Sequence, residues 1–283
     1  MVIVRMQGGL GNQLFQYALY KTIKEKGIQV KADISDYILK RDSRNYELDK
    51  LGLQIDIATN DELHHYYADN TRPLDRLLRY TMGKHKYLKE KCFDYNSWTL
   101  QVEDGYLSGY WQSERYFQGI SEKLRNNITF QNINTLQIQE YEGLMKSSQS
   151  VSVHLRRGDY EKNDMLYGNI ATVDYYYKAI EYIQEKVENP KFFLFSDDQV
   201  WAEQFMKSVG QSYVIVQGNT GDNAYKDMYL MTCCRYHVIA NSTFSWWGAW
   251  LDNRKDKVVI TPDKWNNLCK GHEICADGWT MIS

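Results

Sequence analysis

VSVHLRRGDY, residues 151–160, decides how the rest of the chain is read. A short β-branched run, Val151 and Val153, ends in a turn that carries His154, Arg156, Arg157 and Asp159. In open α/β sheets ligands bind at the carboxyl ends of strands. Two adjacent guanidiniums at such a place, each a fork of donors matched to phosphate oxygens, point to a phosphorylated ligand. A surface ion pair between Arg157 and Asp159 is the alternative. If the strand continues, alternation puts Arg156 on the side of His154 and Arg157 on the side of Leu155. Arg156 is then expected in the cleft, with Arg157 held by a carboxylate such as Asp159.

Downstream of that turn, apolar runs alternate with helical spacings. The strand 151–155 precedes a helix expected from Val173 to Val187, and KFFLF (191–195) precedes one through Trp201, Phe205 and Met206. SYVIV (212–216) leads to a helix from Asn223 to about Cys233. YHVIA (236–240), a helix over 243–252 and KVVIT (257–261), expected as the last strand, complete the series. Such alternation predicts a parallel sheet covered on both faces. Upstream, Val2 to Met6 reads as a strand, Gln7–Gly11 as a turn and Asn12 as a helix N-cap. Leu14, Phe15, Ala18, Leu19 and Ile23 form a helical stripe closed by Gly27, and Gln29 to Asp33 reads as a second strand. Charged, tyrosine-rich segments dominate residues 60–95, where helical insertion and irregular loop fit equally. The polar stretch 131–150 ends in a Ser/Gln cluster, so two domains are expected, 1–148 and 149–283.

Polar turns follow four of the strands: GGLGN (8–12), HLRRGD (154–159), SDD (196–198) and NSTFSWW (241–247). In a doubly wound sheet they share one edge, which makes a ligand site there the leading reading. GGLGN lacks the third glycine of the dinucleotide fingerprint, because Leu14 stands in its place. It remains either a turn whose amides at a helix start suit an anion, or only a tight strand-to-helix connection. The adjacent carboxylates Asp197 and Asp198 can bind Mg²⁺ or accept from a purine edge; Ser196 or Asp197 can instead cap the next helix. Asn241, Ser242, Thr243 and Ser245 gather small donors at another helix start, suited to phosphate, with Trp246 and Trp247 packed behind.

The 283 residues hold 34 basic and 36 acidic side chains, a net charge of −2, which gives no basic footprint for nucleic acid. An aromatic content of 14%, with 23 Tyr and 8 Trp, fits both core packing and stacking on sugar rings. MVIVRMQGG shows none of the features of a secretory leader, and no window reaches the ~20 apolar residues of a transmembrane segment. The odd set Cys92, Cys233, Cys234, Cys269 and Cys275 then points to free thiols in a reducing, cytoplasmic compartment. Cys269, His272 and Cys275 are three ligands where zinc usually wants four, so no metal is expected.

GGLGNQLFQYA (8–18), HLRRGDY (154–160), FSDD (195–198) and NSTFSWWGAWL (241–251) resemble the motifs of the α-1,2-fucosyltransferases of glycosyltransferase family eleven, in order and across almost the whole chain. The resemblance implies an α/β protein of the GT-B type: two Rossmann-like domains, an acceptor half then a donor half, with the active-site cleft between them. It implies GDP-L-fucose as co-substrate, a galactose-terminated oligosaccharide or glycolipid as acceptor, and no metal or other cofactor. It also implies a place in O-antigen biosynthesis, with peripheral membrane association left open. Carried over motif by motif, Arg156 contacts the β-phosphate, Asp197 or Asp198 the guanine, and Ser242, Thr243 and Ser245 phosphate or ribose. Gly9, Gly11, Asn12 and Gln13 lie near the pyrophosphate, and His154 and Asn241 complete the expected donor-binding set.

Fucose is β-linked in that donor and α-linked in the product, so transfer inverts in one step. An arginine and helix N-termini can stabilise the departing diphosphate without metal. Asp159, Glu161 and Asp164 are the candidate bases for the acceptor proton, with water or the leaving phosphate as alternatives. The rival readings are another GDP-sugar transferase and a non-catalytic nucleotide- or glycan-binding protein.

Overall fold

The computed structural model describes residues 1–66, 87–91, 94–156, 164–267 and 274–283. The chain divides into two compact units, Met1–Thr129 and Phe130–Ser283. The division falls earlier than the expected 148/149. The helix α2 (Leu136–Lys146) looks polar in sequence, yet it buries Ile138 and Met145 in the core of the second unit. The helix therefore belongs with that unit rather than with a linker.

In the first unit, β1 (Val2–Arg5) lies between β2 (Val30–Asp33) and β4 (Gly105–Ser108), with β3 (Tyr87–Lys89) outside β4. All pairs are parallel, with Val2 opposite Val30 on one side and Gly105 on the other. The expected strands 2–6 and 29–33 are present; β3 and β4 are additional to them. Helix α1 (Leu10–Glu25) buries Leu14, Phe15, Ala18, Leu19 and Ile23 completely. Its N-cap is Gly9, in extended conformation, and Asn12 is the third residue of the helix, within its first turn. Gly27, at φ +79°, closes the other end by donating its amide to Lys24 O.

The second unit is a six-stranded parallel sheet in the order β10-β9-β8-β5-β6-β7. Its strands are β5 (Gln149–Leu155), β6 (Pro190–Ser196), β7 (Tyr213–Ile215), β8 (Tyr236–Val238), β9 (Val258–Pro262) and β10 (Thr280–Ile282). The segment 257–261 is thus not the last strand, since β10 pairs with β9 beyond it. Counted within the unit, the order is the doubly wound 3-2-1-4-5-6, and the strand order reverses between β5 and β8, the place where open α/β sheets bind ligands at their carboxyl ends. Val151, Val153 and Leu155 of β5 pack with α3 (Val173–Lys186) and α4 (Gln199–Val209). Phe193 and Phe195 of β6 face the other way, onto α2 and α5 (Tyr225–Cys233). Helix α6 (Thr243–Leu251) lies against α5 so closely that a Cβ on Gly248 would stand 2.8 Å from Met231 Cβ.

The alternate residues of β5 are polar, and all are buried. Ser150 Oγ accepts from the Arg235 amide at 3.2 Å. Ser152 Oγ lies 2.8 Å from His237 Nδ1, and His237 Nε2 lies 3.1 Å from Asp252 Oδ2. Arg254 Nη1 donates to the other carboxylate oxygen at 3.0 Å and reaches the carbonyls that end α5. With Asp252 ionised, His237 donates from Nε2 and accepts the Ser152 hydroxyl at Nδ1. This Ser–His–Asp chain is composed like a hydrolytic triad, but its histidine is fully buried inside the sheet, so its role is to tie β5, β8 and the end of α6 together. Burial lowers the His237 pKa despite the pull of Asp252. Burial, aided by the charge of Arg156, pushes His154 down to about 3.

This packing has two measurable consequences. Gly248→Ala should lower the stability of the second unit by roughly 1–3 kcal/mol in urea titration, because Met231 must be displaced. Unfolded, His154 and His237 protonate near pH ~6.5, whereas buried in the fold they do so only at lower pH, so stability should fall as pH drops below that value and, for His154, toward about 3. The slope should reach at most about 1.4 kcal/mol per pH unit for each buried histidine, and a His154→Gln variant should lose less on going from pH 7 to 5.

Candidate active site

The chain segments leaving β5, β6 and β8 lie at the carboxyl edge of the second unit's sheet, around the point where its strand order reverses. Arg156 leaves the end of β5 half-buried, its Nε 3.9 Å from Asp197 Oδ2 beyond β6. Beside them α6 begins with Ser242 as N-cap; no side chain caps it and its first turn carries no acidic residue. A nine-residue helix that starts this way leaves first-turn amides and the positive end of its dipole without a capping side chain at this edge of the sheet. A guanidinium and a bare helix N-terminus together favour an anion. The exposed Asp197 carboxylate, one strand over, suits a hydrogen-bond donor edge such as that of a purine.

Other residues of the expected set hold this edge in place. Asp198, not Ser196 or Asp197, caps α4, accepting the Trp201 amide at 3.0 Å. Ser196 Oγ donates to Leu155 O at 2.8 Å and so ties the ends of β5 and β6. Asn241 is buried and spends its amide N–H groups on Tyr167 O and Trp265 O, at 3.2 and 3.3 Å. His154 Nδ1 and Ser245 Oγ lie 2.8 Å apart, both buried. These two are bonded to each other instead of being presented to a ligand. Thr243 stands half-buried at the start of α6. Arg157, Asp159 and Glu161 lie outside the described residues, as does the side chain of Asp164; Cys92, Cys269 and His272 do too.

In the first unit the GGLGN turn also precedes a helix without a side-chain cap or an early acidic residue. Gly8, at φ +79°, donates its amide to Asp42 Oδ2 at 2.6 Å, so a protein carboxylate already takes that amide. Gly9 is half-buried and Gly11 buried. Gln13 is fully buried and donates to Gly8 O and Asn45 O at 2.9 and 2.8 Å while accepting from the Glu47 amide. With both N–H groups used, Gln13 organises the turn and has no donor left for a ligand. Asn12 accepts from Gln112 Nε2 at 2.9 Å. Sequence reasoning missed Asp42, Gln112 and the buried Ser152–His237–Asp252 chain. None carries a local pattern; only the fold brings them to their partners.

The Escherichia coli alpha-1,2-colitosyltransferase is 32% identical over 290 residues, covering 99% of this chain and 98% of that protein. The Escherichia coli O-antigen biosynthesis glycosyltransferase WbnK is likewise 32% identical, over 98% of this chain and 99% of its own length. The bovine galactoside 2-alpha-L-fucosyltransferase SEC1 is 31% identical over 38% of this chain and 29% of its own. Among solved structures, NodZ alpha-1,6-fucosyltransferase soaked with GDP-fucose superposes with a TM-score of 0.51 at 14% identity, covering 93% of this chain and 94% of that one. A mutant of Arabidopsis thaliana FUT1 in complex with GDP gives 0.52 at 13% identity, covering 93% and 71%. The likeness is one of fold: two parallel α/β units, the Rossmann-like halves of a GT-B enzyme. Residues 1–283, the whole sequence, match the description of glycosyl transferase family 11, and this glycosyltransferase family is the one to which the chain belongs.

Proposed function

We propose that the chain transfers L-fucose from GDP-β-L-fucose to the 2-hydroxyl of a terminal galactose, with inversion at the anomeric carbon. The observation that carries this reading is Arg156 at the end of β5, set beside the uncapped start of α6 and Asp197. That arrangement suits a guanosine diphosphate: positive groups for the pyrophosphate, a carboxylate for the guanine N1–H and exocyclic amine. The GDP-fucose and GDP of the two structural neighbours, and the galactoside named for the bovine relative, support the same choice. The colitosyltransferase relative supports a second donor, GDP-colitose, on the same machinery.

As the bond from the anomeric carbon to the β-phosphate oxygen breaks, the sugar becomes oxocarbenium-like and negative charge gathers on GDP. Arg156 and the amides of α6 stabilise that charge more than they stabilise the intact donor, which lowers the barrier. His154, neutral because burial and Arg156 disfavour its charge, is no proton donor near pH 7; it holds Ser245 and hence the helix start. The acceptor hydroxyl attacks from the opposite face and gives its proton to a carboxylate of the segment after Arg156, for which Asp159, Glu161 and Asp164 are the candidates. Metal is not needed in this scheme, since the cationic charge comes from the chain.

Arg156→Ala should lower kcat at saturating donor by roughly 100-fold or more without moving the thermal midpoint. Near-wild-type turnover in that variant would falsify the role given to Arg156. EDTA should leave the initial rate unchanged; a steep loss restored by Mg²⁺ would make the Ser196–Asp198 segment a metal site instead. Linkage analysis of products formed from GDP-fucose and GDP-colitose with a galactoside panel checks donor and linkage together.

A further inference from the structure

Three consecutive side chains after β4 hold polar atoms that are buried and have no hydrogen-bond partner among the described residues: Trp111 Nε1, Gln112 Oε1 and Ser113 Oγ. The residues are 4%, 5% and 0% exposed. Native proteins pair such atoms almost without exception, because an unmade bond leaves the cost of desolvation uncompensated. Trp111 also has φ +56°, the left-handed region that a bulky side chain avoids. Strain and unmade bonds in one short segment are the mark of a place built to receive something.

The segment is held from behind. Glu90, just after β3, accepts the amides of Tyr110 and Trp111 at 2.6 and 3.1 Å, one on each carboxylate oxygen. Gly109 makes room for this, since a Cβ there would lie 2.5 Å from Glu90 Cβ and 2.7 Å from its Oε2. From α1, Gln16 donates to Gly109 O at 3.1 Å, and Gln112 Nε2 reaches Asn12 in the turn after β1. β1 and β4 are neighbours, so the segment and the GGLGN turn share the carboxyl edge of this sheet, where α/β units place ligands.

We propose that Trp111, Gln112 and Ser113 form the hydroxyl-recognition site for the galactoside acceptor, with Glu90 as the positioning residue that keeps the turn in its left-handed form; the assignment of the sugar rests on the proposed function. An indole N–H, an amide oxygen and a hydroxyl offer one donor, one acceptor and one group that does both. Vicinal sugar hydroxyls, each able to donate and to accept, match that set. A phosphate does not, because Gln112 presents an acceptor and the Glu90 carboxylate stands behind the turn. The half-buried ring of Tyr110 adjoins the site and offers a flat face of the kind on which a pyranose stacks. The three atoms are covered in the ligand-free chain, so binding opens the turn locally, which its strain and missing bonds favour.

The test uses the full chain and two separate ligands, methyl β-D-galactoside followed by saturation-transfer NMR and GDP followed by calorimetry. Ser113→Ala, Gln112→Met and Trp111→Phe should each weaken galactoside binding about tenfold, one lost hydrogen bond to a charge-free group, and leave GDP binding unchanged. Ser113→Ala should at the same time raise the thermal midpoint by about 2 °C or more, because it removes a buried hydroxyl that no described residue satisfies. A merely structural serine would lower it. Glu90→Gln should weaken galactoside binding while keeping the fold, with Glu90→Asp recovering part of it. Variants that bind galactoside like the wild type, or that lose GDP binding instead, overturn this site alone. A wild-type chain with no affinity for any galactoside overturns it together with the reading on which it rests.

Discussion

One hydrogen bond, 2.8 Å between His154 Nδ1 and Ser245 Oγ, joins the strand that delivers Arg156 to the helix that starts uncapped beside it. Both elements meet there because β5 and β8 are neighbours at the point where the sheet changes direction. Both partners of the bond are buried. It ties the strand end that carries Arg156 to the first turn of α6, and in the proposed function their spacing decides how strongly the two act on a diphosphate. A protonated imidazole in that place would repel Arg156, and burial keeps the ring neutral. The rest of the polar column along β5, Ser152 with His237 and Asp252, holds the same strand pair further down.

The two units solve the same problem with different side chains. In the second, serine, histidine and aspartate fasten the strand ends. In the first, amides do so: Gln13 and Gln16 are fully buried, and their bonds pull the turn after β1 toward residues 45–47 and toward Gly109. Glutamine, with two donors and one acceptor at the end of a flexible stem, can close several backbone gaps at once.

Much of the second unit was legible because its strands are dense apolar runs, Phe192 to Phe195 for example, buried on both faces. β3, β4 and β10 were not, being only three or four residues long with Tyr, Lys, Ser or Thr among them, too short for alternation to show. The boundary at 129/130 escaped notice because α2 meets its core with few residues, and its other positions read like a linker. In the site, the motif turns marked where ligand chemistry belongs but not which members touch it. Asp198, His154, Ser245 and Gln13 carry polar atoms suited to a ligand and spend them on the protein, as Asn241 does with its amide N–H groups. Which atoms remain unspent is a property of the fold, since it depends on partners tens of residues away.

Helix α6 has a consequence of another sort. Trp246 stands 5.0 Å from Trp247, 6.0 Å from Trp250 and 5.3 Å from Trp279 between ring centroids, so half of the chain's 8 indoles crowd around one nine-residue helix. Chromophores at that spacing couple, and their shared emission and near-ultraviolet circular dichroism report on how this helix is seated. Under the proposed function, nucleotide entering at its amino end would be visible from its hydrophobic flank, an intrinsic optical gauge of donor occupancy that needs no attached dye.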